Sequence, residues 1–371
     1  MKTVAGLGLA ALLLGACQVA GVATPAAGDP DFAVVAGADG VALVGQDWLE
    51  PVSGLDGRDA GYTGALAVPL DATGAVVLAG GRLAVVRPHV PPVVVDCADC
   101  SGIAVTPDLV VTTRKNYTPG NGFDLLLLRH DLTPSRVVRA ERLEERSTTD
   151  YPGENTASPV TLAADASAIT VGYLARDGGV RRGPSIVARY GLDGKLLASA
   201  SVDGVLGRSA VSPDGRHIAV GVGGSSGACI TLSSPVVVDT DSLRVRAFTP
   251  ALPGKARSSS TYTWFFLTDL VWRGGGLSAT GQLHAPPEGE TCDPKPEVWR
   301  RDFDTATGTV ADSTGQAATR WNGPGCEDVL TANGDHENPA LVRRSGGVET
   351  RLGGYHQITL GRPRPADCPR P

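Results

Sequence analysis

Ser209-Ala-Val-Ser-Pro213-Asp214-Gly215-Arg-His-Ile-Ala-Val-Gly221 decides how this chain is read. Two apolar runs flank a turn whose chemistry is local. Proline sets φ at the turn. The aspartate carboxylate accepts from a backbone N–H two residues on, and glycine takes the position that needs φ > 0. The unit reads as a β-hairpin. Its flanking runs are almost wholly apolar, which predicts strands covered on both faces.

The phrase recurs along the chain. It stands at Ala67–Leu78 around Asp71 and Gly74, at Ile103–Thr112 around Pro107-Asp108, and at Val160–Val171 around Asp165. A degenerate copy is Phe266–Ala279, around Asp269. A second, weaker hairpin alternates with the first: Val187–Ala198 with Asp193-Gly194, Val236–Val245 with Asp239, and Trp299–Val310 with Asp304 and Gly308. Forty-eight Gly and 27 Pro cut the chain into pieces too short for amphipathic helices of any length. The best helical candidate, Val138–Arg146, is short and charged and reads as strand and loop.

Two hairpins in every ~45–50 residues is the signature of a propeller blade. The predicted fold class is therefore all-β: a β-propeller of about seven four-stranded blades, with six or eight as neighbouring counts. A single blade cannot cover both of its faces, so blades must stack on one another. Two β-sandwiches are the alternative for the same strand pattern. The Ser212-Pro213-Asp214-Gly215 copy resembles the strand-turn-strand element of the WD-like propeller repeats of Tol-system periplasmic proteins and other bacterial surface propellers. The likeness is strong over this one blade and faint elsewhere. No Gly-His…Trp-Asp pair accompanies it, which argues against a true WD-repeat protein.

The N-terminus sets the expected compartment. Lys2 precedes an apolar run, Val4–Leu14, followed by Gly15-Ala16-Cys17. The run suits a signal h-region and falls short of the ~20 residues that span a bilayer. A thiol directly after small residues at the end of such a run resembles the lipobox of bacterial lipoproteins. That resemblance implies diacylglycerol on Cys17 and cleavage before it. An ordinary cleaved signal with a chance cysteine is the alternative. Residues 18–30 are small and rich in Pro and Gly, and read as a tether reaching at most ~45 Å. The expected organisation is a signal peptide at 1–16, a lipidated tether at 17–30, a propeller at 31–362 and a tail at 363–371. The expected location is the extracytoplasmic face of the cell membrane.

Loss of residues 1–16 would remove Lys2 and take the formal charge from −6 to −7. A mildly acidic chain has no electrostatic case for nucleic acid or for an anionic membrane surface. The membrane is then a partner only through Cys17. The six remaining cysteines are Cys97, Cys100, Cys229, Cys292, Cys326 and Cys368. An even number in an exported chain favours disulfides. Cys97-Ala-Asp-Cys100 joins two strand-like runs, so a turn-clamping disulfide is favoured over a redox centre, which needs a helix N-terminus. Cys229 and Cys292 fall in equivalent loops of successive blades and are paired on that ground, leaving Cys326 with Cys368. A zinc site lacks a second ligand pair.

Candidate chemistry is thin. Gly223-Gly-Ser225-Ser-Gly227 matches G-x-S-x-G, but a strand rather than a helix is expected to follow, which argues against a nucleophile elbow. Cys326-Glu-Asp328 and Asn333–Asn338 gather acids near His336 without Ca²⁺-loop spacing. His217 reads as structural. Tyr262, Trp264 and Phe266 share one strand face by the period of two and form the densest aromatic patch; core packing is the default, a partner site the alternative. No cofactor and no metal are expected. A binding or scaffold module presenting loops to an envelope protein or glycan is the first reading. A hydrolase or lyase with polar groups at the channel mouth is the second, and Arg114, Lys115, Asp124, Asp269 and Arg273 are its loose candidates. A passive envelope component is the third.

Overall fold

The computed structural model describes residues 30–57, 65–115, 122–143, 159–174, 184–226, 229–248, 264–273, 276–284, 297–314, 318–321, 329–332 and 340–361. Among them are 28 strands and no helix. The chain begins with β1 (Ala33–Gly37), β2 (Gly40–Val44) and β3 (Leu49–Pro51). Next come β4 (Leu66–Asp71), β5 (Gly74–Ala79), β6 (Arg82–Arg87) and β7 (Val90–Asp96), one antiparallel meander. β8 (Cys100–Val105), β9 (Val110–Lys115), β10 (Gly122–Leu128) and β11 (Pro134–Glu141) form another, as do β12 (Val160–Ala164), β13 (Ala168–Leu174), β14 (Ser185–Gly191) and β15 (Leu196–Val202). A further meander is β16 (Val205–Val211), β17 (His217–Ser226), β18 (Cys229–Asp239) and β19 (Val245–Ala247). It is followed by β20 (Trp264–Arg273), β21 (Gly276–His284), β22 (Glu297–Asp304) and β23 (Val310–Thr314). The last are β24 (Ala318–Trp321), β25 (Val329–Ala332), β26 (Leu341–Ser345) and β27 (Val348–Gly353), then a lone strand, β28 (Tyr355–Leu360).

These strands make five four-stranded sheets and one eight-stranded sheet in a propeller-like arrangement. The eight-stranded sheet joins the meander β8–β11 to β12–β15 by parallel pairing at one point, Thr161 against Gly102. A glycine is required there. Its φ is +71°, and a Cβ would stand 2.3 Å from the Thr161 carbonyl oxygen. Thr112 and Thr113 brace the seam, their hydroxyls donating to Gly102 O at 2.7 Å and Pro159 O at 2.6 Å.

Every quoted hairpin is present, but in the degenerate copy Asp269 lies within the first strand, paired with Thr280, and the turn comes after Arg273. The 209–221 stretch is β16 and β17, and its copies are β4–β5, β8–β9, β12–β13 and β20–β21. The weaker phrase gives β14–β15, β18–β19 and β22–β23. The two phrases are thus the first and second hairpins of one sheet. Val138–Glu141 lies in β11, a strand as expected.

The first strands of successive sheets touch one another, β4 against β8, β12 against β16, β16 against β20. Burial follows the stacking of sheets. Val34 and Leu43 pack with Val77 and Val86, Leu78 with Ile103, Leu127 with Ile169, Val187 with Val220, Val237 with Leu277, and Val35 with Leu330. Middle strands are accordingly buried end to end, as in β5 and β13. The chain ends where it began: β28 lies beside β1, so the two ends of the described chain share a sheet. Gln357 seals the junction by donating to Ala65 O at 2.9 Å.

Candidate functional site

Antiparallel order gives each sheet two unlike ends. At one end lie the turns between first and second strands and between third and fourth. At the other lie the turns between second and third strands and the passages from sheet to sheet.

Among the described residues the first end is closed mainly by tight turns. Asp71, Asp131, Asp165, Asp193, Asp214, Asp239 and Asp304 each accept through Oδ1 from a backbone N–H two residues on, at 2.7 to 3.1 Å. These are the Asx turns that the repeated phrase encodes. In the 209–221 hairpin the Ser212 hydroxyl donates to Asp214 at 2.6 Å, and Gly215 takes φ +70°. Five of these carboxyls have pKa values below the ordinary carboxylate range. The Arg87 guanidinium does this for Asp71, the Thr133 hydroxyl for Asp131 and the Ser212 hydroxyl for Asp214. Backbone N–H donors at Ser242 and Thr307 do it for Asp239 and Asp304.

The same end is stapled from one meander to the next. Arg136 donates to Leu192 O at 2.6 Å, and Arg343 to Gly45 O at 2.9 Å. Arg189 donates at 2.7 Å to Thr240 O, Asp241 Oδ1 and Asp165 Oδ2, with its side chain only 13% exposed. Arg246 donates to Thr305 O and Ala306 O. His89 N donates to Glu50 at 2.9 Å, and its ring stacks at a tilt on Trp48. A guanidinium fork suits carbonyls in a fixed turn better than an ammonium does. Among the described residues these side chains hold their own turns and the neighbouring meanders together.

The second end carries the long connections. Residues 52–65, 142–159, 175–184, 248–263 and 285–296 all join strand ends on this side. A groove of about 720 Å³ opens here between the first two sheets, lined by Asp39, Gly40, Leu55, Asp56, Gly80 and Arg82. Asp39 accepts from Gly354 N at 2.6 Å. Arg82 donates to Gly54 O at 3.0 Å and faces Asp96 at 3.3 Å. Farther round, Asp124 stands between Arg114 at 3.1 Å and Arg139 at 3.4 Å. The three are cross-strand neighbours in β9, β10 and β11.

That row revises one expectation. Arg114 and Asp124 sit on second and third strands, not on the innermost, and pair across the sheet instead of converging on an axis. Asp269 does lie on a first strand, β20. Lys115 and Arg273 end their strands, and their side chains lie outside the described residues. Among the described residues no three His, Cys, Asp or Glu groups come together as a metal site. Residues 322–328 and 333–339, which hold the acidic clusters near His336, lie outside the described residues.

Other sequence expectations divide in the same way. The sulfurs of Cys97 and Cys100 are at disulfide distance, with Cα atoms 5.2 Å apart, in the turn between β7 and β8. Cys100 N donates to Cys97 O, and Cys97 N to Gly81 O, so the pair clamps a strand-to-strand turn. Cys229 opens β18, its side chain outside the described residues; Cys17, Cys292, Cys326 and Cys368 lie wholly outside them. Ser225 lies within β17, paired with Ile230 of β18, and so not on an elbow leading to a helix. His217 N donates to the Ser212 hydroxyl at 2.9 Å, and its ring lies 6.1 Å from Trp272, a structural place. Trp264 and Phe266 lie in β20, with Trp264 at the long-connection end; their side chains and Tyr262 are outside the described residues.

Two features escaped sequence reading: the arginine staples and the pairing of β28 with β1. The composition did hold a signal for the first, since Lys supplies only five of the 33 basic residues.

No family model and no curated protein matches the chain. Solved structures do resemble it at low identity. A mutant of Synechocystis apocarotenoid oxygenase is 12% identical over 70% of this chain and 60% of its own, with a TM-score of 0.36. The tricorn protease is 12% identical over 90% of this chain and 35% of its own, at 0.43. A puromycin-hydrolyzing peptidase of Mycobacterium tuberculosis is 13% identical over 94% of this chain and 56% of its own, at 0.43. The chain spans less than two thirds of the length of each.

Proposed function

We propose that this chain is a seven-bladed propeller, tethered outside the cell membrane by lipid on Cys17, that binds a partner at its long-connection end without catalysing a reaction. The blade count takes the eight-stranded sheet as two blades touching at Gly102. The observation that carries the binding reading is the asymmetry of the two ends. Tight Asx turns close one end, while the long connections, the groove at Asp39 and Asp56, and the β20 aromatic segment gather at the other. Loops held on a rigid scaffold are where recognition residues concentrate. The lipobox-like Leu14-Gly15-Ala16-Cys17 supports the anchor, and an envelope protein or glycan is the class of partner that such an address offers.

A photo-reactive residue placed at Asp56, on the long-connection end, is expected to give a discrete crosslinked product in intact envelopes. The same residue at Ala72, on the tight-turn end, is expected to give none. Equal products from both positions would overturn the reading. For the anchor, Cys17→Ala is expected to move the protein from the membrane to the soluble fraction, and continued membrane retention would contradict lipidation.

A further inference from the structure

The outermost strands of the sheets are free edges, and most are visibly protected. β3 and β19 have three residues each. β7 carries Pro91, Pro92 and Asp96; β11, β23 and β27 carry charges within the strand. Short strands, prolines and charges are the usual means of stopping edge-to-edge pairing. β15 has none of them. It reads Leu196-Leu-Ala-Ser-Ala-Ser-Val202, seven residues with no charge, proline or glycine. Leu197 is 56% exposed, and Ser199 and Ser201 are exposed on the same side.

We infer that β15 is the contact through which two copies of this chain pair, antiparallel, about a two-fold axis at Ser199. The sequence of the edge is self-complementary in that register. An isologous contact sets each residue against its symmetry mate's counterpart. About Ser199, Leu196 opposes Val202 of the second copy, Leu197 opposes Ser201, and Ala198 opposes Ala200. One step beyond the strand, Lys195 opposes Asp203, and symmetry makes this pair twice. Both side chains are exposed, and neither forms an ion pair within its own chain among the described residues. Opposite charges directly across a strand pair stabilise it, and like charges there oppose it. Charge thus selects a second copy in one register over an arbitrary strand. The contact lies on the outer rim, away from both ends of the sheets, so it leaves the proposed binding end open.

The test uses the full chain purified in mild detergent, with its mass followed by light scattering against concentration. A dimer is expected at micromolar concentration. Lys195→Asp or Asp203→Lys alone places like charges across the axis and is expected to weaken dimerisation about tenfold. The double exchange, Lys195→Asp with Asp203→Lys, is expected to restore it. Ser199→Cys is expected to give a covalent dimer on mild oxidation, because that residue meets its own copy at the axis; Ser201→Cys is not. A chain that stays monomeric to ~100 µM would overturn the inference. So would a dimer indifferent to both single reversals, or one crosslinked equally through positions 199 and 201.

Discussion

The two ends of the sheets are made by the same strands and differ in what joins them. At the tight-turn end, seven aspartates fold their own turns and five side chains or backbone groups cross to the next meander. At the other end several pairs of strands are joined by connections of ten residues or more, anchored by bonds such as Asp39 to Gly354, Arg82 to Gly54 and Arg142 to Leu174, around an open groove. The difference separates stability from recognition. A hydrogen bond that spans two sheets resists their separation. A long connection anchored at its ends leaves the residues between them free to vary without cost to the stack.

Substitutions at the two ends should therefore differ in effect. Arg189→Ala is expected to cost the most, about 2–3 kcal/mol in urea unfolding, because it leaves the Thr240 carbonyl and the Asp165 carboxylate without a half-buried donor. Arg189→Lys should fall between, since an ammonium keeps the charge and loses the fork. Asp214→Ala removes the acceptor for both Ser212 and Arg216 N and should cost about 1 kcal/mol. Arg82→Ala, at the groove, should change stability by no more than ~0.5 kcal/mol, because its partners are solvated. A groove substitution as costly as Arg189→Ala would break the distinction.

Acid should act on the tight-turn end first. Asp71, Asp131, Asp214, Asp239 and Asp304 all have folded pKa values below the ordinary 3.8. A depressed carboxyl contributes stability that is present above its unfolded pKa and is lost as pH falls through the folded one. The melting temperature should hold down to about pH 4 and fall below it, and Asp71→Asn should shallow that fall. A transition centred near pH 6 would contradict the assignment.

The tight-turn end was also the legible one. Asp214 and Gly215 act within a few residues of themselves, so their role can be read from spacing alone. The strands were legible for a related reason: sheets stacked on both sides bury every residue of β5 and β13, leaving continuous apolar runs. Arg189 was not legible, because its acceptors at Thr240 and Asp241 come from the next sheet and nothing near it in sequence marks them. The pairing of β28 with β1 was hidden likewise, since register between the chain's two ends has no local signature. Arg114 and Asp124 looked like site residues because ionisable groups within a strand stand out; their cross-strand pairing is visible only once β9 and β10 are aligned. The proposed binding end was least legible of all, since recognition by loops follows no period.

Replacing residues 249–263, which join β19 to β20 at the long-connection end, with a Gly-Ser linker of equal length tests the separation most directly. Thermal unfolding and capture of the envelope partner would be measured on the same preparation. The account predicts an unfolding midpoint within a few degrees of the unaltered chain together with loss of capture. A chain that unfolds far earlier, or one that still captures its partner in full, would contradict it.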